Sequence, residues 1–527
     1  MVPMKRLVTL VLIYLVSFTY LLAAGNPRLV EAAKRQDRTT VNALLKLHLD
    51  ANTSQGDGVT ALHWAAHWDD SEMARSLILS GANTNAADDL GVTPLSLACT
   101  NASVGMIEKL LAAKANASAV TITGESVLMT CARSGNPAAV KALLVHGANV
   151  NAKEHLRDQT ALMWAVAQRH PEVVEVLLEY GADFGTRSRV NQELIVRQPQ
   201  TSRIVCPADI SEEDRHKLSY KAQAMSSITS GISRTLEVAC DRAEMAPEGG
   251  STALLFAARA GDVSSAKLLL AAGANVNESG PDGSSVLVTA AYAGQGEFAE
   301  FLLSKGANPN ALGAGYGALH AAVLRSDLGL VKALLAHGAN PNIQLTKGTP
   351  VLRETSDFHL SSTLEGATPL FEAARFAEVE IVHALAAAGA DPLLSLNDGT
   401  SPLMAAAGVG WAIGDMALAG HTRSDTYVNR AEPQVPDDDR ALAAVKLMLS
   451  LGASVNVANQ QGNTALHGAA AAGYPAIVQL LVDHDAKLDA QNKLGQTALT
   501  VASKNTQGLL RMLGAGKNAA TSETFEK

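Results

Sequence analysis

Apolar and polar residues follow one another along this chain in a pattern that recurs every 32 to 34 residues. Each copy starts with a Thr, Ser or Gly, then an Ala, Val or Pro, then a Leu, and continues with two small residues, as in Thr60–Ala66. A second apolar stretch with helical spacing follows, as at Val173, Val176 and Leu177. Each copy therefore predicts two short helices. The recurring leucines are Leu62, Leu95, Leu128, Leu162, Leu254, Leu287, Leu319, Leu370, Leu403, Leu466 and Leu499.

The residue types at the ends of these predicted helices suit those positions for physical reasons. A Thr such as Thr93 is a good N-cap, and Pro94 after it loses no hydrogen bond because it stands in the first helical turn. The small pair, for example Ala65 and Ala66, lets neighbouring helices approach closely. A Gly-Ala-Asn or Gly-Ala-Asp turn follows each second helix, and its Gly supplies the left-handed C-cap. One helix pair cannot bury its apolar face alone, so successive copies must stack.

These motifs together resemble the ankyrin repeat, in the Thr-Pro-Leu-His start, the Ala-Ala step, the Leu-Leu second helix and the Gly-Ala-Asn/Asp turn. The resemblance implies an all-α solenoid of about twelve helix-turn-helix units with β-hairpin-like loops. The first unit, near Pro27–Gly58, is degenerate, and the last, Gln496–Leu513, lacks a full second half. Atypical end units are expected of caps.

Three insertions interrupt the period, and loops of a solenoid are where insertions go. Such long loops are either functional or tolerated disorder, and the sequence leaves both readings open. The first insertion contains Ser211–Asp241, whose composition is compatible with a helix. The predicted parts are a signal peptide (1–24), repeats 1–5 (25–190), a partly helical insertion (191–249), repeats 6–12 (250–513) with insertions near 345–366 and 411–440, and a disordered tail (514–527).

The first residues have the layout of a secretory signal peptide. Lys5 and Arg6 precede an uncharged apolar run from Leu7 to Ala24 that ends in small residues. Cleavage would leave a periplasmic or secreted protein. The alternative is an uncleaved inner-membrane anchor with periplasmic repeats, since the run is near the lower length limit for a membrane span.

Composition excludes some functions. The chain is 47% hydrophobic but only 4% aromatic, which suits many short, tightly packed helices better than one large core. Its formal charge of −9 argues against nucleic acid as a partner, because a phosphate-binding surface needs a basic field. Motifs for nucleotides, nucleophilic catalysis and zinc hydrolysis are missing from the sequence. We therefore expect no catalytic residues, no cofactor and no metal.

The four cysteines fall into two pairs. Cys99 and Cys131 occupy small-residue positions of successive first helices. With helix axes about 8–10 Å apart, we expect both to be buried free thiols. Cys206 and Cys240 flank the helix-compatible stretch of the first insertion. In an oxidising compartment they are the candidate disulfide, and two exposed thiols are the alternative.

Histidines and tryptophans in the repeats are expected to be structural. His63, His320 and His467 occupy the His of the Thr-Pro-Leu-His motif, where the resemblance implies that the ring bonds backbone groups. A metal pair of His63 and His67 is disfavoured because no third ligand is in view. Trp64 and Trp164, two residues after the leucine, are predicted to be semi-buried core.

The positions just after the small pair are the candidate binding residues, because in ankyrin-type stacks the ends of the first helices line a concave groove. Arginines and aromatic residues are concentrated there on an otherwise acidic chain, and these side chains are frequent binding hot spots. Solvated arginines at helix ends are the alternative. The candidates are Trp68, Arg133, Arg169, Arg259, Tyr292, Arg325, Arg375, Phe376 and Trp411.

The chain is also similar to exported bacterial ankyrin-repeat proteins with long arrays, in Thr252–Asp262 (TALLFAARAGD) and Pro402–Trp411 (PLMAAAGVGW). That resemblance implies a binding scaffold and names no partner. The motif searches and the N-terminal segment favour a non-catalytic scaffold outside the cytoplasm, and the groove candidates favour a protein partner that presents acidic or aromatic groups. Two alternatives stay open. One is a secreted effector that binds host proteins, and the other is a regulatory or catalytic role carried by insertion 191–249.

Overall fold

The computed structural model describes residues 28–196, 205–206, 243–348, 364–409 and 438–516. The predicted signal peptide, Trp411, Cys240 and the stretch Ser211–Asp241 lie outside these residues. No helix in the described ranges is both long and apolar enough to cross a membrane.

Within these ranges, twenty-four helices alternate as twelve pairs, which confirms the predicted solenoid of about twelve units. Each pair has a first or A helix and a second or B helix. The A helices are α1 (Arg28–Lys34), α3 (Ala61–His67), α5 (Pro94–Thr100), α7 (Val127–Ser134), α9 (Ala161–Ala167), α11 (Ala253–Ala260), α13 (Val286–Tyr292), α15 (Ala318–Leu324), α17 (Pro369–Arg375), α19 (Pro402–Ala406), α21 (Ala465–Ala472) and α23 (Ala498–Val501). The B helices are α2 (Arg38–Lys46), α4 (Ser71–Leu79), α6 (Val104–Ala112), α8 (Pro137–Val145), α10 (Pro171–Glu179), α12 (Val263–Ala271), α14 (Gly296–Ser304), α16 (Leu328–Ala336), α18 (Val379–Ala387), α20 (Asp438–Ser450), α22 (Pro475–Asp483) and α24 (Lys504–Met512).

The helices begin and end at the predicted caps. The hydroxyl of Thr93 accepts a hydrogen bond from the Ser96 backbone N–H at 3.2 Å, and Pro94 stands in the first turn of α5. Gly147, after the end of α8, has a φ of +83°, a left-handed conformation that glycine adopts without a Cβ penalty. The recurring leucine and the small pair are fully buried in α3, at Leu62, Ala65 and Ala66.

An asparagine in each of several turns joins one repeat to the next. The side-chain amide of Asn310 donates to the Gly338 carbonyl at 2.9 Å, and its carbonyl accepts from the Asn340 backbone N–H at 2.7 Å. Asn342 makes the same pair of bonds to Gly389 and Asp391, at 3.0 and 2.7 Å. Since the latter pair spans the insertion near 345–366, the neighbouring repeats keep their stacking despite it. Asn52, Asn151, Asn277 and Asn456 act in the same way.

The chain forms two compact units. The first comprises Met1–Arg189 and Ser251–Ala274, and so holds repeats 1–6. In it, α11 packs on α9, and α12 packs on α10. The backbone N–H of Ser188 donates to the Ser251 carbonyl, and that of Ser251 donates to the Ser188 hydroxyl, each at 3.0 Å. These bonds join the two ends of the chain that flank the first insertion.

The second unit comprises Val190–Gly250 and Asn275–Lys527, with repeats 7–12 and a small sheet. The sheet has the order β2-β1-β3, with β1 at Val190–Val196, β2 at Val205–Cys206 and β3 at Ala243–Gly249. Both pairings are antiparallel, and β1 and β3 run in register from Val190 opposite Gly249 to Val196 opposite Ala243. These strands were not predicted from the sequence. Pro247 is tolerated in β3 because that strand is at the edge of the sheet.

The prediction that the last repeat lacks a full second half is wrong, because the shortened half is the first one. Its B helix, α24, is a full nine residues long, whereas its A helix, α23, has only four. The reason is local, since the chain becomes extended at Ala502 (ψ 136°), which ends α23, and Ser503 is then the residue before α24.

The prediction of free thiols at Cys99 and Cys131 is also wrong, because the two residues form a disulfide with Cα atoms 4.6 Å apart. The error lies in equating the distance between helix axes with the distance between facing Cα atoms. Cα atoms lie about 2.3 Å from a helix axis, so facing positions of helices about 9 Å apart can approach to roughly 4–5 Å. The small residues around both cysteines, which are fully buried, permit this approach. The predicted bridge between Cys206 and Cys240 stays a prediction, since it involves a residue outside the described ranges.

Candidate protein-binding groove

In each unit, the residue two positions after the recurring leucine occupies the same position of every A helix, and we call this set of positions the groove column. In unit 1 the column holds large side chains, and in unit 2 mostly small ones. Its members in unit 1 are Trp64, Leu97, Thr130, Trp164 and Phe256, of which only Thr130 is buried and the others are half-buried. Its members in unit 2 are Thr289, Ala321, Glu372, Ala405 and Gly468. The column in unit 1 therefore offers aromatic surface to a ligand.

Three aromatic rings of this column in unit 1 carry a cation above them. The Lys34 ammonium lies 5.3 Å from the centroid of the Trp64 ring, and the Arg133 guanidinium lies 5.1 Å from that of Trp164. The Arg259 guanidinium lies 5.9 Å from the ring of Phe256. At these distances the ring attracts the cation. Unit 1 thus carries a row of oriented positive charges on a chain that is acidic as a whole.

The predicted arginines of unit 1 also bond to the protein itself. Arg133 forms an ion pair with Glu125 at 3.4 Å. The Arg169 guanidinium donates to the Ala260 carbonyl, which links repeats 5 and 6. Arg259 donates to the Ser251 hydroxyl at 2.8 Å. All three side chains remain exposed, so each is held by the protein while still open to a partner.

Trp68 is the most exposed aromatic of the predicted set in the described residues, with 41% of its surface accessible. It follows α3 as the C-cap residue, and its indole N–H donates to the Lys34 carbonyl at 3.2 Å. Its ring stacks on Trp64, with centroids 6.2 Å apart and planes 24° apart. The structure thus brings Trp68 and Trp64 together, although only Trp68 was predicted to be in the groove.

The predicted residues of unit 2 form two local pairs. Arg325 donates through Nε and Nη2 to the Tyr292 carbonyl, at 2.9 and 2.5 Å, and its guanidinium lies 5.9 Å from the Tyr292 ring. Arg375 lies 5.9 Å from the ring of the next residue, Phe376. All four are half-buried. Arg325 therefore helps to stack repeat 7 against repeat 8, and it is also a candidate for binding.

The motif histidines have the structural role that was predicted. In each, Nδ1 accepts from the N-cap backbone and Nε2 bonds a carbonyl of the next repeat, as His320 does with Gly317 at 3.2 Å and Ala367 at 3.2 Å. Burial lowers the pKa of His320 to about 4, and burial also lowers the pKa of His63 and of His467. The rings are therefore neutral at pH 7, as a group that both accepts and donates must be.

Glu372 is a feature that was not predicted from the sequence. It stands in the groove column between Ala321 and Ala405, is fully buried, and neither carboxylate oxygen has a hydrogen-bond partner. Burial raises its pKa well above the usual value, while the charge of Arg375 acts in the opposite sense. A Glu directly after the Thr-Pro-Leu-Phe segment, at a position held by small or apolar residues in other repeats, was the available signal in the sequence.

Comparison with known proteins agrees with this architecture. A segment of 83 residues is 36% identical to protein phosphatase 1 regulatory subunit 12A of Rattus norvegicus, and one of 83 residues is 35% identical to the Mus musculus protein of that name. Each match covers 16% of this chain and 8% of the relative, so the similarity concerns a few repeats of much longer proteins.

The family model described as "Ankyrin repeats (3 copies)" matches residues 29–121, 102–188, 230–313, 254–345 and 438–521, more than half of the chain. Most of the matched residues that the structure describes lie in the stacked helix pairs, and repeats of this kind mediate binding to protein partners. The chain therefore belongs to the ankyrin repeat family.

Proposed function

We propose that this protein is a non-catalytic scaffold that binds a protein partner through the groove of unit 1. The observation that carries the proposal is the row of aromatic rings with cations above them, at Trp64, Trp164 and Phe256. Aromatic and arginine side chains supply large contact area and strong polar contacts, which is why they dominate binding energy at interfaces.

The chemistry of the groove favours a partner with acidic and apolar side chains. Each of these cations of unit 1 lies above a ring, and Arg133 and Arg259 also bond to Glu125 and Ser251, so a partner carboxylate meets charges whose positions are already restricted. Preorganisation of this kind increases affinity because less entropy is lost on binding. Complementary charge also accelerates association.

We further propose that the protein works outside the cytoplasm, as a periplasmic or secreted protein. Two features support this location. The first is the apolar N-terminal run behind Lys5 and Arg6, which has the pattern of a cleaved signal peptide. The second is the disulfide of Cys99 and Cys131, since disulfides persist in oxidising compartments.

Affinity capture from the envelope fraction of the native cell tests the groove. The bait is the full chain, and the test variant is Arg133→Ala with Arg259→Ala, which removes two groove cations. The matched control is Arg75→Ala with Lys141→Ala, which removes two exposed cations from the B helices α4 and α8. We expect the first variant to recover about tenfold less of the captured protein, and the control to recover as much as the natural chain.

Equal recovery with both variants would remove the groove of unit 1 from the proposal. A melting temperature of the test variant close to that of the control shows that any loss reflects binding and not unfolding. The intact mass of the protein purified from the envelope tests the location. We expect a chain that starts near residue 25, and a chain that retains residues 1–24 would contradict cleavage.

A further inference from the structure

Two tryptophans of unit 1 have matched surroundings. Trp64 in repeat 2 and Trp164 in repeat 5 occupy the same position of their A helices, and both are half-buried. Above each ring lies a cation from the end of the preceding A helix, Lys34 at 5.3 Å and Arg133 at 5.1 Å. The two sites can therefore be compared group by group.

At Trp164 the protein itself satisfies both polar groups. The indole N–H donates to the Gln159 side-chain carbonyl at 3.0 Å. The cation above the ring, Arg133, is paired with the Glu125 carboxylate at 3.4 Å. One oxygen acceptor and one negative charge thus complete this site.

At Trp64 neither group is satisfied. The residue before the N-cap is Val59, where repeat 5 has Gln159, so no acceptor stands at that position. The Trp64 indole N–H is buried and has no hydrogen-bond partner, and a buried donor without a partner is unfavourable. Lys34 is exposed, and within the described part of the chain it forms no ion pair.

The rings of His67 and Trp68 lie beside this site. We call the four residues Lys34, Trp64, His67 and Trp68 the Trp64 cluster. The His67 ring lies edge-on to both tryptophans, with centroids 5.6 Å from Trp64 and 4.6 Å from Trp68. His67 and Trp68 are exposed. The cluster therefore presents an apolar aromatic surface next to an unpaired cation and an unsatisfied donor.

We propose that the Trp64 cluster binds a carboxylate of the protein partner. A carboxylate provides in one group what Gln159 and Glu125 provide at Trp164, an oxygen that accepts from the indole N–H and a charge that pairs with the cation. A neutral hydroxyl, such as that of a sugar, would satisfy the N–H and leave Lys34 unpaired. Since the N–H is buried in the free protein, the proposal includes a side-chain rearrangement within the cluster when the carboxylate binds. This inference rests on the proposed function, because it assigns one acidic position in the partner.

Three probes and two substitutions test it, in the full chain with 15N-labelled indoles. The probes are two acetylated, amidated peptides, hexaglutamate and hexaglutamine, and the neutral sugar chitotriose. We expect hexaglutamate to shift the indole signal of Trp64, assigned by Trp64→Phe, and to leave that of Trp164 in place. Val59→Gln supplies the acceptor that repeat 5 has, and Lys34→Gln removes the cation. Each should weaken hexaglutamate binding about tenfold, the loss expected for a charge-assisted hydrogen bond or close ion pair.

Arg75→Gln, which removes an exposed cation from α4, is the matched control and should bind hexaglutamate like the natural chain. Unchanged hexaglutamate affinity in Val59→Gln would overturn the proposal, as would an absence of any Trp64 shift. A shift of equal size and affinity with hexaglutamine or with chitotriose would overturn the assignment to a carboxylate. In each of these cases, partner capture that still depends on Arg133 and Arg259 leaves the proposed function standing.

Discussion

Cys99 in α5 and Cys131 in α7 are joined by a disulfide between A helices of neighbouring repeats, with 32 residues of sequence separation. A solenoid repeat contacts only its neighbours, so a covalent link between two of them opposes local separation of the stack at that point. Both positions are held by alanine in other repeats, for example Ala66 and Ala65 of repeat 2. Replacing both cysteines with alanine should therefore remove the disulfide and keep the packing of the two helices.

We expect Cys99→Ala with Cys131→Ala to fold normally and to lose about 3–4 kcal/mol of stability, the cost of removing a cross-link from a loop of this length. Chemical denaturation of the oxidised protein and of the variant measures the difference. The natural chain treated with reductant in denaturant and refolded is the control, and should match the variant. Equal stability of variant and oxidised protein would mean that the cross-link adds nothing to the stack.

The same bridge can be checked by counting thiols. In denaturant without reductant, Cys99 and Cys131 should resist alkylation. The predicted second bridge between Cys206 and Cys240 adds a further distinction, because two alkylated cysteines mean that it is absent and none mean that it is present. Four alkylated cysteines would contradict both bridges.

The turn asparagines predict a local effect on hydrogen exchange. Asn310→Ala removes the acceptor of the Asn340 backbone N–H and the donor to the Gly338 carbonyl. We expect exchange at the Asn340 amide to accelerate about tenfold, in keeping with the loss of roughly 1 kcal/mol from hydrogen bonds at an exposed site. The Asn308 amide, whose acceptor is the Asn277 side chain, is the internal control and should keep its rate. Asn310→Asp retains an acceptor and should protect Asn340 in part.

Arg325 predicts a stability effect that separates it from the groove cations. Because two of its nitrogens donate to the Tyr292 carbonyl, Arg325→Ala should destabilise unit 2 by about 1.5–3 kcal/mol. Arg325→Lys should recover only part of this, since an ammonium cannot copy the planar guanidinium. Thermal melting measures both, with Arg511→Ala on α24 as an exposed control. A melting point unchanged in Arg325→Ala would assign this residue to binding alone.

Local patterns decided which features could be predicted from the sequence. Leu62, Thr93 and Gly147 act within one repeat, so spacing and cap chemistry predict helices, caps and the stacked fold. The bridge between Cys99 and Cys131 was missed because it depends on how closely two helices approach, which periodicity does not contain. The pairing of Val190 with Gly249 was missed for a similar reason, since the two residues are far apart in the chain and local spacing does not show that they meet.

Side-chain partners in the groove were the hardest to predict. Trp64 and Trp164 have the same position and the same local motif, yet only Trp164 finds an acceptor, because Gln159 replaces Val59. The difference between Val59 and Gln159 is visible in the sequence. Its consequence for the indole N–H follows only from the positions of both rings in the structure. The arginines were identified from position alone. Arg133 pairs with Glu125 of its own repeat, whereas the bonds of Arg169 to Ala260 and of Arg325 to Tyr292 depend on neighbouring repeats.

The buried carboxyl of Glu372 predicts the sign of a pH dependence in unit 2. Its pKa in the folded protein is raised well above its usual value, mainly by burial, so the folded state holds the proton more tightly than the unfolded chain does. The contribution of Glu372 to the stability of the fold is therefore most favourable below its pKa in the unfolded chain. It is lost as the pH rises through its pKa in the folded protein. Between these two values, the free energy of unfolding falls by about 1.4 kcal/mol for each pH unit. Glu372→Gln imitates the protonated form and should leave stability unchanged at low pH and raise it at neutral pH.

His320, on the neighbouring helix α15, contributes a pH dependence of stability that is opposite in sign to that of Glu372. Its pKa is lowered to about 4, so its contribution is complete above pH 6.5 and falls as the pH drops toward 4. Arg375 is the charged group that acts on Glu372, and Arg440 of the packed helix α20 is already bonded to Ala377 and Glu378. Melting temperatures from pH 4 to 8 should therefore show Glu372→Gln diverging upward from the natural chain as the pH rises. Glu380→Gln, at an exposed site on α18, should track the natural chain throughout. Parallel curves for all three proteins would mean that Glu372 is hydrated or paired in solution, and that its burial carries no titration.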